Sequence, residues 1–303
     1  MRRRTAVAAL LVVVGLSGCA TTQASGDAPQ VVVTTNILGD VVENIAGEEL
    51  EVTTLMKRNA DPHSFEISAQ EAAAMGAADL VVANGLGLEE GLQQHLDRAV
   101  ADGGAMLVAG DVIDVLAYSE EEADGAPDPH FWTDPARMVD VVTALEEALL
   151  AVDGVDEQAI QDNADGYRAE LAELDTEMTA AFSAIDDADR ALVTNHHVFG
   201  YLAERFDFRV VGAVIPGGTT LAAPSAADLR DLAAAIEEAG VPTIFAESSQ
   251  PDRLVQVLAS EVGIDVDVVE LFTESLTEPD EGADTYLTMM RANTERIADG
   301  LTH

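Results

Sequence analysis

Short apolar runs alternate with helix-like segments along most of the chain, and this alternation limits the possible fold more than any other feature. In the first half, the strand-like runs are residues 30–35, 51–56, 80–83 and 105–109. In the second half, they are residues 191–194, 209–214, 243–246 and 267–271. Strands that are joined through helices pair in parallel, with helices on the faces of the sheet. The sequence therefore predicts an α/β fold with mostly parallel, helix-covered sheets.

A long stretch without helix breakers separates the two series. After Asp153-Gly154, residues 155–185 contain no proline and a single glycine. As one helix, these roughly 31 residues would extend about 46 Å, which exceeds the usual length of a globular helix. We therefore predict an N-terminal lobe over residues 30–152, a linking helix over 153–187 and a C-terminal lobe over 188–303.

The N-terminus has the features of a bacterial lipoprotein signal. Arg2, Arg3 and Arg4 precede an apolar run over residues 6–16, which is too short to span a bilayer permanently. Leu16-Ser17-Gly18-Cys19 then resembles a lipobox. We predict a signal peptide over residues 1–18, a lipid on Cys19, a tether over 19–29 and a location on the extracytoplasmic face of the membrane. An ordinary secretory signal with an incidental cysteine is the alternative.

The chain is strongly acidic. Its 56 Asp and Glu residues against 15 Lys and Arg residues give a formal net charge of −41. A surface of this charge disfavours nucleic acid and anionic lipid as partners. The acidity has two interpretations, which are solubility in a saline habitat and concentration of cations near a site. We favour the first, because the carboxylates are spread along the whole chain.

Histidines mark a candidate metal site. The chain has six, and four of them lie in three short segments: two Asp-Pro-His triplets, ending at His63 and His130, and the pair His196-His197. These segments follow predicted strands, and ligands bind at that edge of open α/β sheets. Imidazole suits zinc, copper, nickel and iron. Adjacent residues of extended backbone point in opposite directions, so at most one histidine of the pair enters a shared site.

Two carboxylates are further candidates. Glu247 and Glu274 also follow predicted strands, although either is equally compatible with an ordinary strand end or surface acid. Three histidines with an open fourth position would also suit a secreted metallohydrolase, with Glu247 or Glu274 as general base. No His-Glu-x-x-His helix supports that alternative, and we predict that the chain is not an enzyme. A third interpretation is an adhesin or structural lipoprotein.

Several of these segments together resemble the zinc- and manganese-binding lipoproteins of ABC importers, the cluster A-I solute-binding proteins. The resemblance rests on residues 59–66, 127–135, 194–201, 245–248, 272–276 and 282–293. They occur in the order of the family motifs and cover nearly all of the chain after the signal peptide. The resemblance implies two α/β lobes bridged by the long helix, with a metal ion in the cleft between them.

The resemblance also implies roles for particular residues. It makes His63, His130 and His196 metal ligands, and it places Glu274 where the family usually has an aspartate. The longer side chain leaves either Glu274 or a water as the fourth ligand. Glu247 and His197 are expected beside the ligands, although the family usually has Asp at the position of His197.

The choice of metal and partners follows from the same resemblance. Manganese-binding members tend to have a carboxylate at the position of His196, so a third histidine favours Zn²⁺, with Mn²⁺ as the alternative. Many zinc-binding members carry a His-rich loop before the second ligand, whereas residues 118–128 contain acids and no histidine. The implied partners are a membrane permease and a cytoplasmic ATPase, and the protein is expected to be a monomer.

Overall fold

The computed structural model describes residues 28–249, 253–262 and 266–302, with only the backbone of residues 121 and 122. Cys19, the predicted signal peptide and most of the predicted tether lie outside the described residues. In the described part of the chain, no helix is both long enough and apolar enough to cross a membrane.

The first sheet is parallel and has four strands. The strands are β1 (Gln30–Val33), β2 (Glu51–Thr54), β3 (Leu80–Ala83) and β4 (Met106–Val108), and their spatial order is β2-β1-β3-β4. The accompanying helices are α1 (Asn36–Ala46), α2 (Ala69–Met75), α3 (Gln93–Ala101) and the short α4 (Glu120–Ala123). The central strand β3 is buried on both faces, as expected for a β-branched run in a parallel sheet.

The second sheet repeats this arrangement. Its strands are β5 (Ala191–Thr194), β6 (Arg209–Ala213), β7 (Thr243–Glu247) and β8 (Asp267–Leu271), in the spatial order β6-β5-β7-β8. Its helices are α7 (Gly200–Phe206), α8 (Ala226–Ala239) and α9 (Arg253–Glu261). Both sheets are parallel and have the same strand order, so the predicted fold of two helix-covered α/β lobes is confirmed.

Three longer helices complete the fold. They are α5 (Pro135–Leu150), α6 (Glu157–Ser183) and α10 (Tyr286–Leu301). The 27-residue helix α6 buries one stripe of side chains at a spacing of three or four residues: Ile160, Ala164, Tyr167, Leu171, Leu174, Met178 and Phe182. That stripe packs against α1 and α5 from the first lobe and against α10. The helix begins at the Asp156 cap and is slightly shorter than the predicted stretch.

Two local features could not be inferred from the sequence patterns. Helix α3 begins only at Gln93, because the backbone from Gly85 to Leu92 forms successive turns around the buried Glu89 carboxylate. Most of the described residues of the acidic stretch 118–128 are exposed, but its two ends are buried. Tyr118 and Asp128, at its ends, are 9% and 2% exposed, and both contact the site described below.

Candidate metal centre

Four predicted site residues lie together where the carboxyl ends of the two sheets face each other. His63 follows β2, His130 follows β4, His196 follows β5 and Glu274 follows β8. One ligand atom from each lies within 4.8 Å of the others, and all four residues are buried. The structure therefore brings together side chains that are up to 211 positions apart in the sequence.

The distances among these atoms match the shell of a small metal ion. Glu274 Oε1 lies 3.0 Å from His63 Nε2, 3.1 Å from His130 Nε2 and 3.2 Å from His196 Nε2. The Nε2 atoms of His63 and His130 are 3.4 Å apart. A tetrahedral Zn²⁺ ion with ligands at 2.0–2.1 Å has ligand–ligand edges of about 3.3 Å. The arrangement fits such an ion with little rearrangement.

An unsatisfied polar atom points to the same use. Glu274 Oε2 is buried and has no hydrogen-bond partner in the described part of the chain. A buried polar atom without a partner is costly. A buried carboxylate needs a partner of opposite charge. A cation bound through Oε1, or through both oxygens, would supply that partner for Glu274.

The two Asp-Pro-His triplets form the same local structure. In the first, Asp61 Oδ1 accepts the backbone N–H of His63 at 2.9 Å. In the second, Asp128 Oδ1 accepts the backbone N–H of His130, also at 2.9 Å. Each is an Asx-type turn, in which a side chain bonds the backbone two residues later. The turn directs each histidine towards the centre.

Asp128 has an additional contact with the His130 ring. Its Oδ1 lies 2.8 Å from His130 Nδ1, and the Tyr118 hydroxyl donates to the same Oδ1 at 3.1 Å. An acceptor at Nδ1 favours the tautomer whose Nε2 lone pair is free to bind metal. Burial lowers the pKa of His130, but the hydrogen bonds and charges of Asp128 and Glu274 outweigh it and raise that pKa above 6.5.

Glu247 is the carboxylate beside Nδ1 of His196, as Asp128 is for His130. Its Oε2 lies 3.1 Å from His196 Nδ1, but the two groups are not aligned for a hydrogen bond, so the contact is chiefly ionic. Asn195 Nδ2 donates to the same oxygen at 3.2 Å. Burial lowers the pKa of His196, but the charges of Glu274 and Glu247 hold it well above 6.5. This buried pocket therefore stabilises positive charge.

The two buried glutamates differ in their ionisation. Burial raises the pKa of Glu274, but the charge of His196 and the hydrogen bonds from the three histidines hold it well below 4.5. The pKa of Glu247 is raised, first by burial and then by the charge of Glu274. Of the two, Glu274 is thus the carboxylate that favours the anionic form, and it is the one that contacts all three histidines.

His197 lies beside this cluster and its ring is outside it. Its backbone carbonyl accepts the Tyr118 hydroxyl at 3.0 Å, and the two rings are 6.3 Å apart. Neither Tyr118 nor Asp128 was among the predicted site residues. The repeat of the Asp-Pro-His triplet was the available signal for Asp128. No sequence pattern singled out Tyr118.

Two parallel-sheet lobes with a buried group of three imidazoles and a carboxylate between them define a binding protein for a divalent metal ion. The family described as the periplasmic component A of zinc-uptake complexes (ZnuA) matches residues 31–300. The chain belongs to this family, and the resemblance found in the sequence is confirmed.

Individual relatives agree with this assignment. The manganese ABC transporter substrate-binding lipoprotein PsaA of Streptococcus pneumoniae is 27% identical over 311 residues, with 99% of each chain covered. The manganese-binding lipoprotein MntA of Halalkalibacterium halodurans is 28% identical over 281 residues, covering 93% of this chain and 91% of the relative. These are names of binding proteins, in agreement with the prediction that this chain is not an enzyme.

Solved structures are similar over most of the chain. The periplasmic zinc-binding protein TroA of Treponema pallidum has a TM-score of 0.84 at 30% identity, covering 91% of this chain and 99% of that one. A manganese-bound periplasmic metal-binding protein from candidatus Liberibacter asiaticus has a TM-score of 0.80 at 27% identity, covering 90% and 99%. The similar proteins thus include both zinc-binding and manganese-binding members.

Proposed function

We propose that this protein captures Zn²⁺ outside the cell membrane and delivers it to the permease of an ABC importer, which a cytoplasmic ATPase drives. The proposed ligands are His63, His130, His196 and Glu274. The observation that carries the proposal is the spacing of their four buried ligand atoms, which all lie within 4.8 Å of one another. Four of the six separations are 3.0–3.4 Å, close to the edges of a tetrahedral zinc shell.

The donor set supports zinc over manganese. Three neutral imidazoles and one carboxylate fill a four-coordinate zinc shell, whereas manganese favours carboxylate, carbonyl and water oxygens. Glu247 Oε2 contacts His196 at Nδ1, on the side of the ring away from Glu274, so it adds no oxygen ligand at Nε2. Mn²⁺ is the alternative, and the names of several relatives favour it.

Attachment to the membrane through a lipid on Cys19 and a monomeric state are parts of the same proposal. The relatives PsaA and MntA are named as lipoproteins. The sequence Leu16-Ser17-Gly18-Cys19 carries the prediction for this chain. Radiolabelled lipid incorporation into the full chain, compared with Cys19→Ala, tests it, and equal labelling of both would contradict it.

The metal proposal is tested by calorimetric titration of a demetallated soluble chain, residues 20–303, with Zn²⁺ and Mn²⁺. We expect tight 1:1 zinc binding and weaker manganese binding. His130→Ala should weaken zinc binding severely, because it removes one of the four proposed ligands. His95→Ala is the matched control, since His95 is an exposed histidine on α3, and it should bind like the parent.

The outcomes separate the alternatives. A preference for Mn²⁺ would retain the transport proposal and change its substrate. Zinc binding that survives His130→Ala unchanged would remove His130 from the ligand set. Failure of the parent chain to bind either ion would contradict the proposed function itself.

A further inference from the structure

The segment that carries Glu274 belongs by sequence to the second lobe. It leaves β8 of the second sheet and runs to the start of α10. In the described structure, Phe272 is bonded to Asn293 of α10, and Thr277 bonds to Ala283 within the segment itself. The other hydrogen bonds that leave residues 275–277 for a distant part of the chain run to the first lobe. Glu274 is thus held by the lobe that also carries His63 and His130.

Asn36, at the start of α1, is at the centre of these contacts. Its Nδ2 donates to Ser275 Oγ at 2.8 Å and to the Lys57 carbonyl at 3.0 Å. Its Oδ1 accepts the backbone N–H of Leu276 at 2.9 Å. Asn36 is 5% exposed, so water competes little for these bonds. A single side chain therefore bonds the two residues that directly follow Glu274.

Other groups of the first lobe hold the same segment on both sides of Glu274. Arg58 Nη1 donates to the carbonyls of Thr277 at 2.6 Å and Asp284 at 2.7 Å. The Trp132 indole N–H donates to the carbonyl of Thr273, the residue before Glu274, at 2.8 Å. The backbone on either side of Glu274 is thus fixed to the first lobe.

We propose that Asn36 is a positioning residue for metal binding, which fixes Glu274 to the first lobe through Ser275 and Leu276. This inference deepens the proposed function and rests on it. It makes His63, His130 and Glu274 a three-ligand unit of one lobe, with His196 as the ligand that the other lobe contributes. Separation of the lobes would then withdraw His196 and leave the other three ligands together.

The test is zinc affinity in Asn36→Ala, measured by competition with a chromophoric chelator. Loss of partners that orient a ligand costs about 10- to 100-fold in metal affinity, and we expect a loss in this range. Asn44→Ala is the matched control: Asn44 lies on the same helix and is exposed, and its side-chain amide donates to the Asp40 carbonyl within that helix. It should bind zinc like the parent chain.

A double-mutant cycle separates positioning from general damage to the fold. If Asn36 acts through Glu274, Asn36→Ala should cause no further loss of affinity in a Glu274→Ala chain, whose three imidazoles still bind zinc. It should still cause its full loss in a His196→Ala chain. The visible spectrum of bound Co²⁺ should change in Asn36→Ala as it does in Glu274→Ala.

Two results would decide against the inference. Parental zinc affinity in Asn36→Ala, or an equal further loss in the Glu274→Ala chain, would each overturn it while leaving the proposed function intact. If Asn36→Ala does not fold, Ser275→Ala removes one of the bonds without altering α1, and its loss should likewise vanish in the Glu274→Ala chain. Absence of metal binding by the parent would instead contradict the proposed function.

Discussion

Asp40 provides a prediction about stability whose size follows from the structure. Its side chain lies on α1, is 8% exposed, and accepts the backbone N–H of Tyr286 at the start of α10 at 2.9 Å. Burial raises the pKa of Asp40 from 3.8 to about 6, against the lowering effect of the Tyr286 hydrogen bond. Replacement by asparagine keeps an acceptor for that N–H and removes the buried charge.

The sign follows from the raised pKa. The folded state holds the Asp40 proton more tightly than the unfolded state, so this group's contribution to stability is full below pH 3.8 and is lost as the pH rises through about 6. At about 1.4 kcal/mol per pKa unit, the ionised group costs about 3 kcal/mol at pH 7.5. At pH 4.5 the same relation gives a cost of about 1 kcal/mol.

Urea unfolding of the metal-free chain at both pH values measures this difference. Asp40→Asn should raise the free energy of unfolding, and its advantage over the parent should be about 2 kcal/mol larger at pH 7.5 than at pH 4.5. Glu48→Gln is the control, because Glu48 is an exposed acid just beyond the end of the same helix and its charge does not contribute to the raised pKa of Asp40. A pH-independent effect, or a variant less stable than the parent at pH 7.5, would refute the reasoning.

Three further predictions concern the metal centre. Asp128→Asn removes the charge beside His130 Nδ1 and should weaken zinc binding about tenfold in a competition titration; unchanged affinity would show that the charge is unimportant. Zinc affinity should fall from pH 7.5 to pH 5, because the pKa values of His130 and His196 are raised and protons therefore compete with the metal for imidazole. An affinity that does not depend on pH would contradict a site dominated by histidine. Free zinc at 100 times its dissociation constant should raise the free energy of unfolding, measured in urea, by about 2.7 kcal/mol. The site would be contradicted if zinc did not stabilise the parent chain, or if it stabilised His130→Ala to the same extent.

The fold class was predictable because its signals are local. A β-branched run such as residues 80–83 is buried on both faces of a parallel sheet, and that environment leaves a continuous apolar pattern in the sequence. Capping signals are local as well. Ser68 accepts from the backbone N–H of Glu71, and the Glu71 carboxylate accepts from the backbone N–H of Ser68, so both partners of this capping box lie within the four residues Ser-Ala-Gln-Glu.

The candidate site was predictable in part. Residues that follow parallel strands collect at one edge of the sheet, so the positions of His63, His130 and His196 already suggested a shared site. The role of Glu274 came only from the family resemblance. Tyr118 could not be identified, because its acidic surroundings in the sequence resemble those of a solvated loop while its hydroxyl is buried against Asp128.

The sequence by itself determined the alternation of strands and helices, the capped helix starts and the scarcity of histidines outside three segments. The tertiary structure alone decided which lobe holds Glu274. Asn36 and Ser275 are 239 positions apart, and the bond between them depends on how α1 packs against the segment before α10. Periodicity reports the environment of neighbouring residues, whereas a polar contact between distant segments leaves no periodic trace, because each partner alone is an ordinary buried residue.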